Sequence, residues 1–278
     1  MLRGIAALLG TTILWASSFP VIKIAVGSST GLGYTWMRSA IAALALLPLA
    51  ARRIGRAGRA TALGGVVTGI AYALGLWLQG WGTGLTTASN SAFITGLNVV
   101  FVHIYVAARL RRYSAELGAE LALAILGLYL LTSPRGGFGL GDALVLAGSV
   151  AWAAQVLLVS RYGRGDPIVF TFFEMLPAIT FAVPDAMEGG IEVPAPSTAL
   201  GLVYLGLACS DGAFALQAYG QRFVEPEIAA MIYLLEPVLA SLFSWAVLGE
   251  HMTPIQVAGA AAIVIATAMA SRYAIQQS

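Results

Sequence analysis

Ten apolar runs alternate along the chain with short polar breaks. They cover approximately residues 4–26, 31–51, 60–81, 87–109, 114–133, 141–160, 167–186, 197–219, 226–248 and 253–273. A helix needs about 20 predominantly apolar residues to cross a bilayer core of roughly 30 Å, so each run predicts one transmembrane helix. Turn-forming residues punctuate the runs: Gly27-Ser28-Ser29-Thr30-Gly31, Ser133-Pro134-Arg135-Gly136-Gly137 and the proline-rich Glu192–Pro196 stretch. The first run follows Arg3 and passes Ala16-Ser17-Ser18, which imitates a signal peptide. It continues to about Val26 and further runs follow, so it is expected to be retained as a span.

Composition agrees with this pattern. Hydrophobic residues make up 59% and charged residues 10% of 278, where a soluble domain carries roughly 25% charged residues. Such a chain cannot cover itself with polar surface, and lipid is its expected solvent. No soluble domain fits between the runs. Cys209 is the single cysteine, which excludes an intramolecular disulfide and a cysteine-rich metal site. The 32 glycines suit close helix approach in a membrane.

The charges set the orientation. With the N-terminus cytoplasmic and ten crossings, the inner loops and ends hold Arg3, Arg52, Arg53, Arg56, Arg59, Arg109, Arg111, Arg112, Arg161, Arg164, Arg222 and Arg272. The outer loops hold Arg135 alone, together with Asp185, Glu188 and Glu192. This bias follows the positive-inside rule and predicts N-in, C-in topology. Lys23 and Arg38 fall within runs, toward their expected outer ends, and are expected to snorkel outward. The alternative is that they draw a solute carboxylate toward the exit.

The pattern also repeats. Trp15 recurs as Trp152, Thr35 as Thr171, Pro48 as Pro184, Gln79 as Gln217, Gly82 as Gly220 and Leu97 as Leu235, at offsets of 136 to 138 residues. Five runs per copy mean that the second copy enters the membrane from the opposite side. The expected fold is therefore all-α and integral to the membrane: ten transmembrane helices in two inverted five-helix repeats, residues 1–136 and 137–278. Inverted repeats of this kind mark alternating-access transporters. Where the copies differ, the second holds acids: Glu236 stands against Asn98 and Asp211 against Ala73. Pro237 stands against Val99, which predicts a helix break in the second copy alone.

Polar residues inside a membrane are costly, so each needs a reason. Ser91, Thr95, Asn98 and Tyr105 share a helical face, as do Tyr72, Leu76 and Gln79. Phe214 and Gln217 repeat the latter spacing. Trp15 and Phe19 align with Lys23, Trp152 nearly aligns with Gln155, and Tyr233 aligns with Glu236. A cavity with aromatic walls and amide or hydroxyl donors would suit a small amphipathic solute and would tolerate a cation. The expected solute-binding residues are Trp15, Phe19, Tyr72, Gln79, Ser91, Thr95, Asn98, Trp152, Gln155, Phe214, Gln217 and Tyr233. For most of these aromatics, packing is the competing reading; Trp15 and Trp152, repeat-related and near mid-depth, are the best placed. Glu236 and Asp211 are the coupling candidates. Glu236 reads either as a group that meets a solute ammonium or proton, or as a neutral acid bonded to a neighbouring helix. His103 is expected to be a satisfied polar residue rather than a proton relay. Trp36, Trp77, Trp81 and Trp245 fit an interfacial belt. Gly65, Gly69 and Ala73 form one small-residue face; Ala258, Ala262, Ala266 and Ala270 form another, which suits either an internal or a dimer contact.

These residues resemble the drug/metabolite transporter superfamily, in its ten-helix EamA-type branch. Leu14-Trp15-Ala16-Ser17-Ser18-Phe19-Pro20 followed by Lys23 is similar to the family's W-[GA]-S-x-F…K opening. Arg38 matches a further position. Leu235-Glu236-Pro237-Val238 followed by Leu248-Gly249-Glu250 resembles its L-E-P-V…L-G-E pattern. The resemblance covers the whole chain and implies export of small metabolites: amino acids, related toxins or organic cations. The run Ser89-Asn90-Ser91-Ala92-Phe93-Ile94-Thr95-Gly96-Leu97-Asn98-Val99-Val100-Phe101 looks closest to the aromatic and neutral amino-acid exporters. His103 replaces a proline common among relatives, which implies a straighter lower fourth helix.

Other functions fit less well. The chain has two histidines, no H-E-x-x-H, no Gly-x-Ser-x-Gly and no nucleotide-binding motif, which argues against an intramembrane enzyme or direct ATP drive. No filter-like segment suggests a channel. The expected function is a secondary exporter of small metabolites, foremost amino acids. The alternatives are an organic-cation or drug exporter of the same fold and, less favoured, a passive channel or structural membrane subunit. No catalytic residue, metal or cofactor is expected. The expected partners are the solute and membrane lipid, with no nucleic acid, in a monomer or weak dimer of the cell (inner) membrane.

Overall fold

The computed structural model describes the chain apart from residues 19–20, 23–29, 111–112, 135–136, 190–193, 249–250 and 277–278, and apart from the side chains of 88–89, 110, 244–248 and 273–276. Phe19 and Lys23 lie outside the described residues, as does the side chain of Trp245. The described residues are helical, without strands. The helices are α1 (Leu2–Ala16), α2 (Gly31–Leu85), α3 (Ala88–Gly96), α4 (Asn98–Tyr105), α5 (Ala115–Thr132), α6 (Leu140–Tyr162), α7 (Pro167–Ile179), α8 (Ala182–Glu188), α9 (Pro196–Tyr204), α10 (Ala213–Gly220), α11 (Pro226–Tyr233), α12 (Leu235–Leu248) and α13 (Pro254–Gln276). π-Helical stretches Val106–Leu110 and Leu205–Gly212 continue α4 and join α9 to α10. Among the described residues, eight segments are long and apolar enough to cross a membrane; α1 is apolar but shorter.

The expected loop at residues 52–59 is reduced to a kink at Gly58. Residues 52–59, read as a basic connection, continue the helix on both sides of Gly58. A straight helix of 55 residues would run to roughly 80 Å, far beyond a bilayer core. Gly58 interrupts it with φ 77° and ψ 157°, a conformation open to glycine because it lacks Cβ. The second arm packs on α6 and α7. There Gly65 and Gly69 press on backbone: a Cβ on Gly65 would meet the Phe170 carbonyl oxygen at 2.5 Å, and one on Gly69 would collide with the Glu174 carbonyl oxygen. The small-residue face is thus a helix–helix seam.

α5 packs on α13, with Gly127 and Gly259 facing each other. Ala266 and Ala270 are buried in the chain, whereas Ala258 is exposed. Much of the stripe is therefore an internal contact.

Side-chain caps begin several helices. Thr30 Oγ1 accepts from Gly33 N at 2.8 Å and donates to Asp185 Oδ1 at 2.5 Å, tying α2 to α8. Asp166 Oδ1 accepts from Ile168 N and Val169 N at the start of α7. Trp36 is held at this end of α2 by a bond from its indole N–H to Asp185 Oδ2 at 2.8 Å. Trp77 stacks on Trp81 at 5.6 Å between ring centroids.

The breaks in the fourth and ninth runs correct two expectations. The ninth run breaks at Leu234, three residues before Pro237, whose missing N–H cannot serve the Tyr233 carbonyl. The fourth run breaks too, at Leu97, although no proline follows. The break is therefore not confined to the second copy. The lower fourth run is not a uniform straight helix either, since it ends in a π turn at Val106–Leu110.

Candidate functional site

Both breaks border one cavity of about 650 Å3, mouth included. Thr95 and Asn98 flank the break at Leu97, while Tyr233 and Glu236 flank the break at Leu234; all four line the cavity. Trp15 and Ser18 come from α1 and the turn after it, Arg38, Leu76 and Gln79 from α2, Trp152, Gln155 and Val156 from α6, and Phe214 from α10. Ile22 completes the lining.

Aromatic rings form one continuous wall. Trp15 lies 5.1 Å from Phe214 and 5.2 Å from Tyr233 between ring centroids. Phe214 meets Tyr72 edge-on at 5.0 Å, and Tyr72 meets Trp152 at 6.0 Å. The indole nitrogens fix the two tryptophans. Trp15 donates to the Cys209 carbonyl at 3.2 Å, a group of the π-helical stretch. Trp152 donates to Gln79 Oε1 at 3.0 Å, and Gln79 Nε2 donates to Thr95 Oγ1 at 3.1 Å. This chain of bonds ties α6, α2 and α3 together on the cavity wall.

Gln155, on the cavity lining, leads back into a buried polar cluster. Gln155 Nε2 donates to Gln217 Oε1 at 2.9 Å, and Gln217 Nε2 donates back to Gln155 Oε1 at 3.0 Å. Gln155 Nε2 also donates to Glu174 Oε1 at 2.7 Å. Both amide hydrogens of Gln155 are thereby used, so its remaining capacity toward a solute is as an acceptor. Glu174 Oε2 finds no partner among the described residues.

Of the expected binding residues, Trp15, Gln79, Thr95, Asn98, Trp152, Gln155, Phe214 and Tyr233 come together around the cavity. Tyr72, Ser91 and Gln217 sit one layer back. Tyr72 is fully buried, with its hydroxyl 3.2 Å from Ser39 Oγ; Ser91 Oγ lies 2.6 Å from Thr83 Oγ1; and Gln217 is bonded to Gln155. Tyr105 is exposed, beyond the cavity. Glu236 lines the cavity, whereas Asp211 is buried in the π-helical stretch with Oδ1 unpartnered among the described residues. His103 Nδ1 lies 2.8 Å from the Val99 carbonyl oxygen, and Nε2 has no partner among the described residues.

Arg38 departs most from expectation. Its side chain does not snorkel outward: the residue is 4% exposed and lines the cavity. Nε donates to Ser210 Oγ at 2.8 Å and Nη1 to Tyr34 Oη at 2.6 Å. Ser18, Ile22 and Val156 were also absent from the expected site; Ser18 lies one turn beyond Trp15, the spacing that could have shown it. The described residues contain no cluster of His, Cys, Asp and Glu able to hold a metal ion.

The EamA-like transporter family matches this chain over residues 2–133 and again over 139–272. The chain belongs to that family. It is a multi-pass membrane transporter. An uncharacterized transporter of Archaeoglobus fulgidus is 31% identical over 262 residues, covering 93% of this chain and 82% of that one. A probable terminal-alkyne amino-acid exporter of Streptantibioticus cattleyicolor is 26% identical over 273 residues, covering 93% and 90%. A solved crystal structure at 19% identity superposes with a TM-score of 0.77 and covers 98% of both chains, a likeness of fold.

Proposed function

We propose that this transporter exports amino acids across the cell (inner) membrane by alternating access at the cavity described above. The observation that carries this reading is the lining itself: aromatic walls, side-chain amides and hydroxyls, one guanidinium and one carboxylate, drawn from both halves of the chain. Rings suit an apolar side chain, while the polar groups suit a compact charged head. A carrier of cations alone has no use for Arg38 on its wall, so the organic-cation alternative is less well supported. The S. cattleyicolor relative, named as a probable amino-acid exporter, supports the same class of solute.

In this reading the two arms of α2, residues 31–57 and 59–85, cross separately, and the first run crosses once. Ten crossings result, in two inverted repeats with both ends cytoplasmic. The equivalent breaks at Leu97 and Leu234 are what broken helices at a transport site supply: backbone that is irregular only where it borders a cavity. Rocking of one half against the other exposes that cavity to each side in turn. The transporter acts as a monomer or weak dimer in lipid, without a cofactor. Glu236 meets the solute, whereas Asp211, set away from the cavity, carries the coupling proton.

The test is exchange in liposomes containing the purified protein. A labelled neutral or aromatic amino acid should exchange with saturation and be displaced by unlabelled amino acid. Flux that is linear in concentration marks a channel, and chemical conversion of the solute marks an enzyme.

A further inference from the structure

Two groups of opposite charge face the same cavity without touching each other. Arg38 comes from the first half and Glu236 from the second, and both line it. Both bonds of Arg38 go to neutral hydroxyls, Ser210 Oγ and Tyr34 Oη. A guanidinium has five N–H donors and keeps its charge in proteins. Those two bonds therefore orient the group, and among the described residues no carboxylate lies in salt-bridge contact with it. The single ion pair among the described residues, Arg53 with Asp166 at 3.5 Å, involves neither group. A buried cation in a membrane-spanning segment is costly, and such residues mark solute pathways when they face a cavity.

The groups around the two charges are as telling. Tyr34 and Ser210 hold Arg38 in place, and Tyr72 Oη lies 3.3 Å from the same Ser210 hydroxyl. The guanidinium thus sits in a fixed cradle on the cavity lining. Glu236 directly precedes Pro237, beside the break at Leu234. Trp15, Phe214 and Tyr233 lie in ring contact on the same lining.

We propose that Arg38 and Glu236 are the two poles of a site for a free, zwitterionic α-amino acid. Arg38 takes the carboxylate, Glu236 takes the ammonium, and the side chain rests on Trp15, Phe214 and Trp152. The proposal rests on the amino-acid reading above and deepens it. A zwitterion has no net charge, so the occupied site carries the same formal charge as the empty one, with each pole newly paired. A solute with one charge leaves the other buried pole without a new partner, which the site disfavours. Selection for both termini together follows, with the side chain less strictly specified.

The experiment is inhibition of labelled amino-acid exchange in proteoliposomes by three forms of one neutral aromatic amino acid: free, methyl ester and N-acetyl. On the wild-type protein the ester and the N-acetyl form should each inhibit about tenfold or more weakly than the free form, the scale of one charge-assisted hydrogen bond. Arg38→Gln should weaken the free amino acid by a similar factor and leave the ester nearly unchanged. Glu236→Gln should do the same with the N-acetyl form in place of the ester. Equal potency of the three forms on the wild-type protein overturns the proposal, and this arm needs no variant to fold. Variants that elute as monodisperse protein, yet discriminate against both blocked forms as the wild type does, overturn it as well. Failure of the wild type to exchange any amino acid removes the amino-acid reading itself. Exchange of amino acids without discrimination removes the two poles alone.

Discussion

Leu97 and Leu234 make the same turn, 137 residues apart. Leu97 has φ −65° and ψ −6°, and Leu234 has φ −64° and ψ −10°. Each amide is shared between two carbonyls: Leu97 N reaches Phe93 O at 3.3 Å and Ile94 O at 3.2 Å, and Leu234 N reaches Ala230 O at 3.3 Å and Met231 O at 3.2 Å. The separation falls within the 136 to 138 residues of the sequence repeat, one residue short of the Leu97–Leu235 match, and both turns border the cavity. One has a proline three residues on and the other has a valine, so proline is not what makes the turn. Pro237→Ala is therefore expected to keep the turn, the fold and most of the transport. Thermal unfolding in detergent and proteoliposome exchange check this; loss of monodisperse protein would mean that the proline dictates the break.

The reciprocal amide pair of Gln155 and Gln217 holds α6 to α10 at the cavity wall. Gln217→Leu removes one partner and leaves the Gln155 amide carbonyl short of its donor in a buried setting. The expected loss is about 1–3 kcal/mol of stability, seen as a lower unfolding midpoint. An unchanged midpoint would show that water or Glu174 replaces the missing bond.

Trp152→Phe keeps an aromatic ring and deletes the bond to Gln79. The expectation is normal folding with transport reduced by up to about tenfold, the worth of one hydrogen bond. Trp15→Ala should lower transport more, since it removes a whole face of the wall. Wild-type rates in both well-folded variants would take the tryptophans out of the site.

Gly69 lies against the Glu174 carbonyl oxygen and the Pro177 ring. Gly69→Ala is expected to destabilise the protein by about 1–3 kcal/mol through overpacking. Gly84, with open space around it, should accept alanine without such a loss. Unfolding midpoints of the two variants, measured side by side, decide the point.

Asp211→Asn is expected to leave the affinity for amino acid intact, because Asp211 is not on the cavity wall. Gradient-driven transport should be lost and equilibrium exchange kept. Transport with and without an imposed pH gradient separates the two; full gradient drive in the variant would place the coupling proton elsewhere.

Much of the candidate site was legible because helical periodicity gives direction. Trp15, Gln79, Thr95, Asn98, Trp152, Phe214 and Tyr233 all sit on faces that the spacing selects, and those faces converge. Periodicity does not give depth. Tyr72 and Gln217 point toward the centre yet lie one layer behind it, because Phe214, Trp152 and Gln155 stand in front. Arg38 was misplaced for a related reason. Its place near the start of the 31–51 run puts it close to a membrane surface, but the guanidinium turns inward and finds hydroxyl partners on Tyr34 and Ser210. The break at Leu97 left a single local mark, the preceding Gly96, which abuts Leu128. A lone glycine within an apolar run is common in membrane helices and marks no break by itself.

The most direct measurement is counterflow of a labelled neutral amino acid in proteoliposomes preloaded with the unlabelled form. Saturable uptake that exceeds equilibrium for a time, and is reduced in well-folded Trp152→Phe protein, is the predicted result. Unsaturable flux, or no flux of any amino acid through well-folded protein, would contradict the account.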